Sequence, residues 1–80
     1  MPYPFKKLRK ILASFGAWED SSRGKGSHTV FFRDVEGSVF SFPIPTHDKD
    51  VKDCYVRGVR KRLKLSAKDG ISDDEFFGRA

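Results

Sequence analysis

Between positions 22 and 28 the chain reads Ser22-Arg23-Gly24-Lys25-Gly26-Ser27-His28, then turns apolar as Thr29-Val30-Phe31-Phe32. The glycines permit φ > 0 and close backbone approach. Free amide N–H groups in such a turn can cradle an anion. Arg23 and Lys25 add positive charge, so a phosphate is the natural guest. Histidine is the side chain type that both takes and gives a proton near neutral pH. His28 therefore stands where a phosphate-binding loop would meet an acid–base group. Ser27 reads as a turn or orienting residue, because no Asp-backed base lies nearby to make it a nucleophile.

Eighty residues allow one small domain with a single core. Hydrophobic residues at 38% and charged residues at 34% fit a soluble globular chain rather than a disordered one. Eight phenylalanines, two tyrosines and one tryptophan can build a compact aromatic core. The lone cysteine, Cys54, excludes an internal disulfide, and with only two histidines a usual zinc site is not expected. Neither a metal nor a small-molecule cofactor is called for. A reducing cytoplasm is the simplest home, with no secretory signal or membrane span in view.

The formal net charge of +5 is unevenly spread. Residues 1–65 hold fourteen Lys/Arg against seven Asp/Glu, while residues 66–80 hold two against four. A basic body favours an anionic partner such as nucleic acid, a membrane surface or an acidic protein.

The elements that must carry the loop follow from periodicity. Phe5, Leu8, Ile11, Leu12 and Phe15 share one face of a helix over 4–15, with Lys6, Lys7, Arg9 and Lys10 opposite and Gly16 as its stop. Pro4 fits a first helical position. The basic face reads as solvated or as a phosphate contact. Residues 17–21 form a short strand with Trp18. Residues 28–33 form a second strand, Asp34-Val35-Glu36-Gly37 a turn, and residues 38–43 a third strand. Pro43 and Pro45 argue against a longer central strand.

On the second strand His28, Val30 and Phe32 share one face, and Thr29, Phe31 and Arg33 the other. A solvent-facing His28 leaves an apolar patch beside it, which we read as a partner surface; a bulge would instead put that patch in the core. Thr46 or Asp48 can cap a second helix over about 49–63. Its apolar stripe is Val51, Tyr55, Val56, Val59 and Leu63. Arg57, Arg60, Lys61, Arg62 and Lys64 crowd its other side and last turn. Gly58, costly in mid-helix, implies close approach to the sheet. Cys54 reads as packing. In the tail, Ser66 and Ser72 are start signals, and Ser72-Asp73-Asp74-Glu75-Phe76-Phe77 is a capped acidic turn whose phenylalanines can fold back.

The expected fold is α+β, in α-β-β-β-α order. A three-stranded antiparallel sheet carries two helices on one face, leaving the other open. Residues 1–65 form the domain and 66–80 a short helical tail.

Lys25-Gly26-Ser27-His28 entering a strand after a helix and a basic loop, Pro45-Thr46-His47 after the third strand, and a basic helix with Gly58 resemble the HicA (YcfA-like) family of bacterial toxins. The resemblance spans roughly residues 5–65. It implies a fold like the double-stranded-RNA-binding domain and a metal-independent endoribonuclease that cuts mRNA and arrests translation. It makes His28 the catalytic residue and a HicB-like antitoxin the protein partner. Arg23, Lys25, Gly26 and Ser27 would contact the RNA. His47 matches a histidine often found before the second helix and takes no assigned role. A non-catalytic RNA-binding module and a protein-interaction domain are the alternatives for the same fold.

Overall fold

In the computed structural model, residues 2–20, 28–45 and 49–80 are described. Strand β1 (Tyr3–Pro4) leads into helix α1 (Phe5–Ser14). Strands β2 (Trp18–Asp20), β3 (His28–Val35) and β4 (Ser38–Pro45) form an antiparallel sheet in the order β2-β3-β4. Strand β5 (Asp50–Val51) precedes helix α2 (Asp53–Arg62). A 3-10 turn (Ala67–Asp69) and helix α3 (Asp73–Phe77) complete the chain.

The sheet is set by a tight hairpin. Val35 pairs with Ser38, leaving Glu36 and Gly37 as a two-residue turn, both at positive φ (53° and 88°). That left-handed pair matches strand twist. The Asp34 carboxylate accepts the Gly37 amide at 2.9 Å and holds the turn. Both strands run two residues further than the sequence pattern suggests. Pro43 and Pro45 are tolerated because β4 is an edge strand with a ladder on one side only.

Register sorts the side chains. Phe31 pairs with Phe42 and with Glu19, Thr29 with Ile44, and Arg33 with Phe40. This face meets the helices. Phe5 of α1 packs on Phe31 with ring centroids 6.1 Å apart. Arg9 clasps the Glu19 carboxylate through two hydrogen bonds of 2.7 Å, which raises the Arg9 pKa further above its already high value. A Cβ on Gly58 would fall 2.6 Å from the Phe42 ring tip, so glycine is what lets α2 lie on β4. Leu8, Ile11, Leu12, Phe31, Ile44, Val56, Val59, Leu63, Leu65 and Phe76 form the core.

Both long helices end in the same hydrogen-bond pattern, in which amides just past the helix turn back on its last carbonyls. The Ala17 amide donates to the Leu12 carbonyl and the Leu65 amide to the Arg60 carbonyl. Each needs a left-handed residue, supplied by Gly16 (φ 87°) in one and Lys64 (φ 61°) in the other. Arg33 then reaches from the sheet to both ends, donating to the Phe15 carbonyl at 3.2 Å and the Leu63 carbonyl at 2.8 Å. One side chain thus satisfies terminal carbonyls of two helices and sets its charge against both dipoles.

Several elements differ from the sequence reading. Pro4 is the residue before α1, not its first residue, and belongs to β1. Helix α2 begins at Asp53; Val51 lies in β5, paired with Tyr3. The residue before α2 is Lys52, which makes no side-chain cap. Thr46 and Asp48, the expected caps, lie outside the described residues. Cys54 is exposed, because it falls on the solvent side of the Val56–Val59–Leu63 stripe.

Arg60 is the larger correction. It is not on a solvated basic face but is 7% exposed. Its guanidinium donates to the Leu65 and Ile71 carbonyls (3.0 and 2.9 Å) and to the Asp73 carboxylate (2.7 Å). It also sits 4.6 Å from the Phe76 ring centroid. Residues 66–80 are thereby tied into the domain. Phe76 is fully buried, Phe77 packs on Tyr3, and Arg79 lies 3.9 Å over the Phe15 ring. Ser72 caps α3 by accepting the Glu75 amide. The Asp69 carboxylate accepts both the hydroxyl and the amide of Ser66. These bonds hold the Asp69 pKa below the usual carboxylate range.

Candidate functional site

Among the described residues, no helix covers the second face of the sheet. Register puts His28, Val30, Phe32 and Asp34 of β3 there, with Val39, Ser41 and Pro43 of β4 and Trp18 and Asp20 of β2. His28 is exposed, the first residue of β3, opposite Pro45. The alternation is unbroken: Thr29 and Phe31 are buried behind the sheet, while Val30 and Phe32 are half-buried in front. An imidazole at a strand start on the bare side of a sheet can meet a macromolecular ligand without unfolding anything.

Arg23, Lys25, Gly26 and Ser27, the residues expected to hold phosphate beside it, lie outside the described residues, as does His47. The structure brings to His28 instead an apolar surface running along β3. Trp18, 48% exposed, stacks on Phe32 with centroids 5.8 Å apart and planes 16° from parallel. Val39 is 56% exposed on the same face. Sequence reasoning foresaw Val30 and Phe32 there but not Trp18. The signal was the pairing of β2 with β3, which fixes Trp18 opposite Phe32.

Among the described residues, the open face is poor in positive charge. Its described residues include Asp20 and Asp34 but no lysine or arginine. The described cations lie mostly on the helices. On α1, Lys6, Lys7 and Lys10 are exposed. Around the end of α2, Lys61, Arg62 and Lys64 line a groove of about 440 Å³ with Phe40, Phe42 and Gly58. Among the described residues, no group of three His, Cys, Asp or Glu is placed to hold a metal ion, and no helix is long and apolar enough to cross a membrane.

These observations define a small α+β domain, built on a three-stranded antiparallel sheet, with helices on one face and an exposed histidine on the other. No family model, no curated protein and no solved structure matches the chain.

Proposed function

We propose that the chain is an endoribonuclease of the HicA type, the toxin half of a toxin–antitoxin pair, on a double-stranded-RNA-binding-domain-like fold. The observation that carries this reading is the exposure of His28 at the start of β3, immediately after the Arg23–Ser27 run. The order of helix, three strands and helix supports it, as does the close approach of α2 to the sheet at Gly58.

The reaction is transfer at phosphorus. The ribose 2′-oxygen attacks the adjacent phosphate as its proton passes to a base. The 5′-oxygen leaves and takes up a proton. The products are a 2′,3′-cyclic phosphate and a 5′-hydroxyl. His28 serves one of the two proton transfers, each typically worth about 10²–10⁴ in rate. Arg23, Lys25 and the amides around Gly26 and Ser27 stabilise the charge that grows on the phosphoryl oxygens. A HicB-like antitoxin would silence the enzyme by covering this region.

The test is incubation of purified chain with messenger RNA and end-group analysis of the fragments. Wild type is expected to release cyclic-phosphate ends, and His28→Ala to slow cleavage at least about 100-fold with an unchanged circular dichroism spectrum. Equal cleavage by both forms, or intact RNA with both, overturns the reading. A protein-docking role gains its own support from the apolar Trp18–Phe32 surface, and predicts partner binding with no RNA affinity at any salt.

A further inference from the structure

RNA that extends beyond the scissile phosphate assigned to Arg23 and Lys25 needs further cations, and among the described residues the open face of the sheet adds none. The groove between β4 and α2 has three. Lys61, Arg62 and Lys64 line it, Phe40 and Phe42 floor it, and no carboxylate is among its lining residues. Among the described residues neither Lys61 nor Arg62 forms an ion pair. The neighbouring cleft beyond Phe40 differs, since Glu36 and Asp69 share it with Arg33 and Lys64.

Lys64 is the informative residue. It occupies the left-handed position that ends α2 (φ 61°). Glycine fills that role at the end of α1 and is the easier residue there. A lysine in its place carries a backbone cost and places an ammonium 5.2 Å from the Phe40 ring centroid, inside the groove. Backbone strain kept at a surface groove points to use of the side chain it displays.

We infer that this groove binds the backbone of single-stranded RNA, with Lys61, Arg62 and Lys64 on consecutive phosphates and the phenylalanine floor against a sugar or base. Alternating cations and aromatic surface are what sequence-tolerant single-strand sites use. The inference rests on the ribonuclease reading for its ligand class. The geometry connects the two regions. His28 pairs with Pro45, and Phe42 lies three residues back along β4, about 10 Å at the rise of a strand. Because β4 is the sheet edge, a few nucleotides can pass over it from the groove to the imidazole. The site therefore adds length to the RNA the enzyme holds, on one side of the scissile bond.

The test uses a fluorescent single-stranded RNA, titrated at several salt concentrations in a His28→Ala background so that it stays intact. Lys61→Glu with Arg62→Glu is expected to weaken binding at least about tenfold. It should also flatten the log–log salt dependence by about 1.4, the loss of two phosphate contacts. Lys6→Glu with Lys10→Glu on α1 makes the same charge change and is expected to weaken binding less than about threefold, because those exposed lysines lie outside the groove. Lys64→Gly is expected to melt at or above the parent temperature and yet bind RNA more weakly. Equal losses from the two double variants reduce the effect to net charge and overturn the inference. So does capture of polyglutamate but not RNA. Cleavage is read separately in the His28 form. His28-dependent cleavage that the groove variants leave unchanged removes the groove and keeps the ribonuclease. Groove-dependent binding without cleavage does the reverse.

Discussion

The two faces of the β2-β3-β4 sheet are made by the same strands and have opposite characters. Behind the sheet, Phe31 and Ile44 are sealed and Arg33 is tied to the ends of both helices. In front, His28, Trp18 and Val39 are exposed. Thr29, Phe31 and Arg33 of β3 thus serve stability, while His28, Val30 and Phe32 face the open side. Substitutions of buried residues behind the sheet should cost far more stability than substitutions at the exposed positions in front.

The largest expected contrast is Phe31→Ala against Trp18→Ala. The first removes a buried ring and should cost about 3–5 kcal/mol, a large part of the total stability of a domain this size. The second loses an exposed ring and one stacking partner, about 0.5–1.5 kcal/mol. Denaturant titration reads both. Similar losses would dissolve the distinction between the faces.

Arg60→Ala comes next. It strips hydrogen bonds from the Leu65 and Ile71 carbonyls and releases α3, for an expected loss of about 2–4 kcal/mol. Asp73→Asn should cost less than about 1 kcal/mol, because its carboxylate is largely solvated. If the two variants lose the same amount, the ion pair rather than the carbonyl bonds holds the tail.

Gly58→Ala sets helix propensity, a gain of about 1 kcal/mol, against overpacking on Phe42, a cost of about 1–3 kcal/mol. A net loss of about 1 kcal/mol is expected, and Phe42→Leu should relieve it in a double-mutant cycle.

The smallest effect is at Asp69. Its pKa is lowered by the Ser66 hydroxyl and amide, so its contribution is present above the ordinary aspartate range. That contribution is lost as pH falls through the depressed value. Ser66→Ala should narrow the stability difference between neutral and acidic solution, with little change at the acid end.

Much of this was readable without coordinates. The helical spacing of Leu8, Ile11 and Leu12, the alternation through Thr29–Phe32 and the Glu36–Gly37 turn are local patterns, and each became the expected element. The sense of Gly58 was legible too, since glycine in mid-helix needs a close neighbour. Arg60 was half-legible. It lies four residues after Val56 and three before Leu63, on the buried stripe, but its charge argued for solvent until the Leu65 and Ile71 carbonyls came within reach. The β1–β5 pair was not legible, because two-residue strands have no period. The basic groove was missed for a different reason. Phe40 and Lys64 are far apart in sequence and meet only when α2 docks on β4.

The order of residues alone settled which side chains alternate, where turns form, and that His28 opens a strand after a basic run of sequence. Those are properties of neighbours within a few positions, governed by backbone geometry and side-chain period. Folding in three dimensions decided which face the helices cover, which arginine is buried, and which cations share a groove. These depend on contacts between distant segments, whose energies no local pattern encodes.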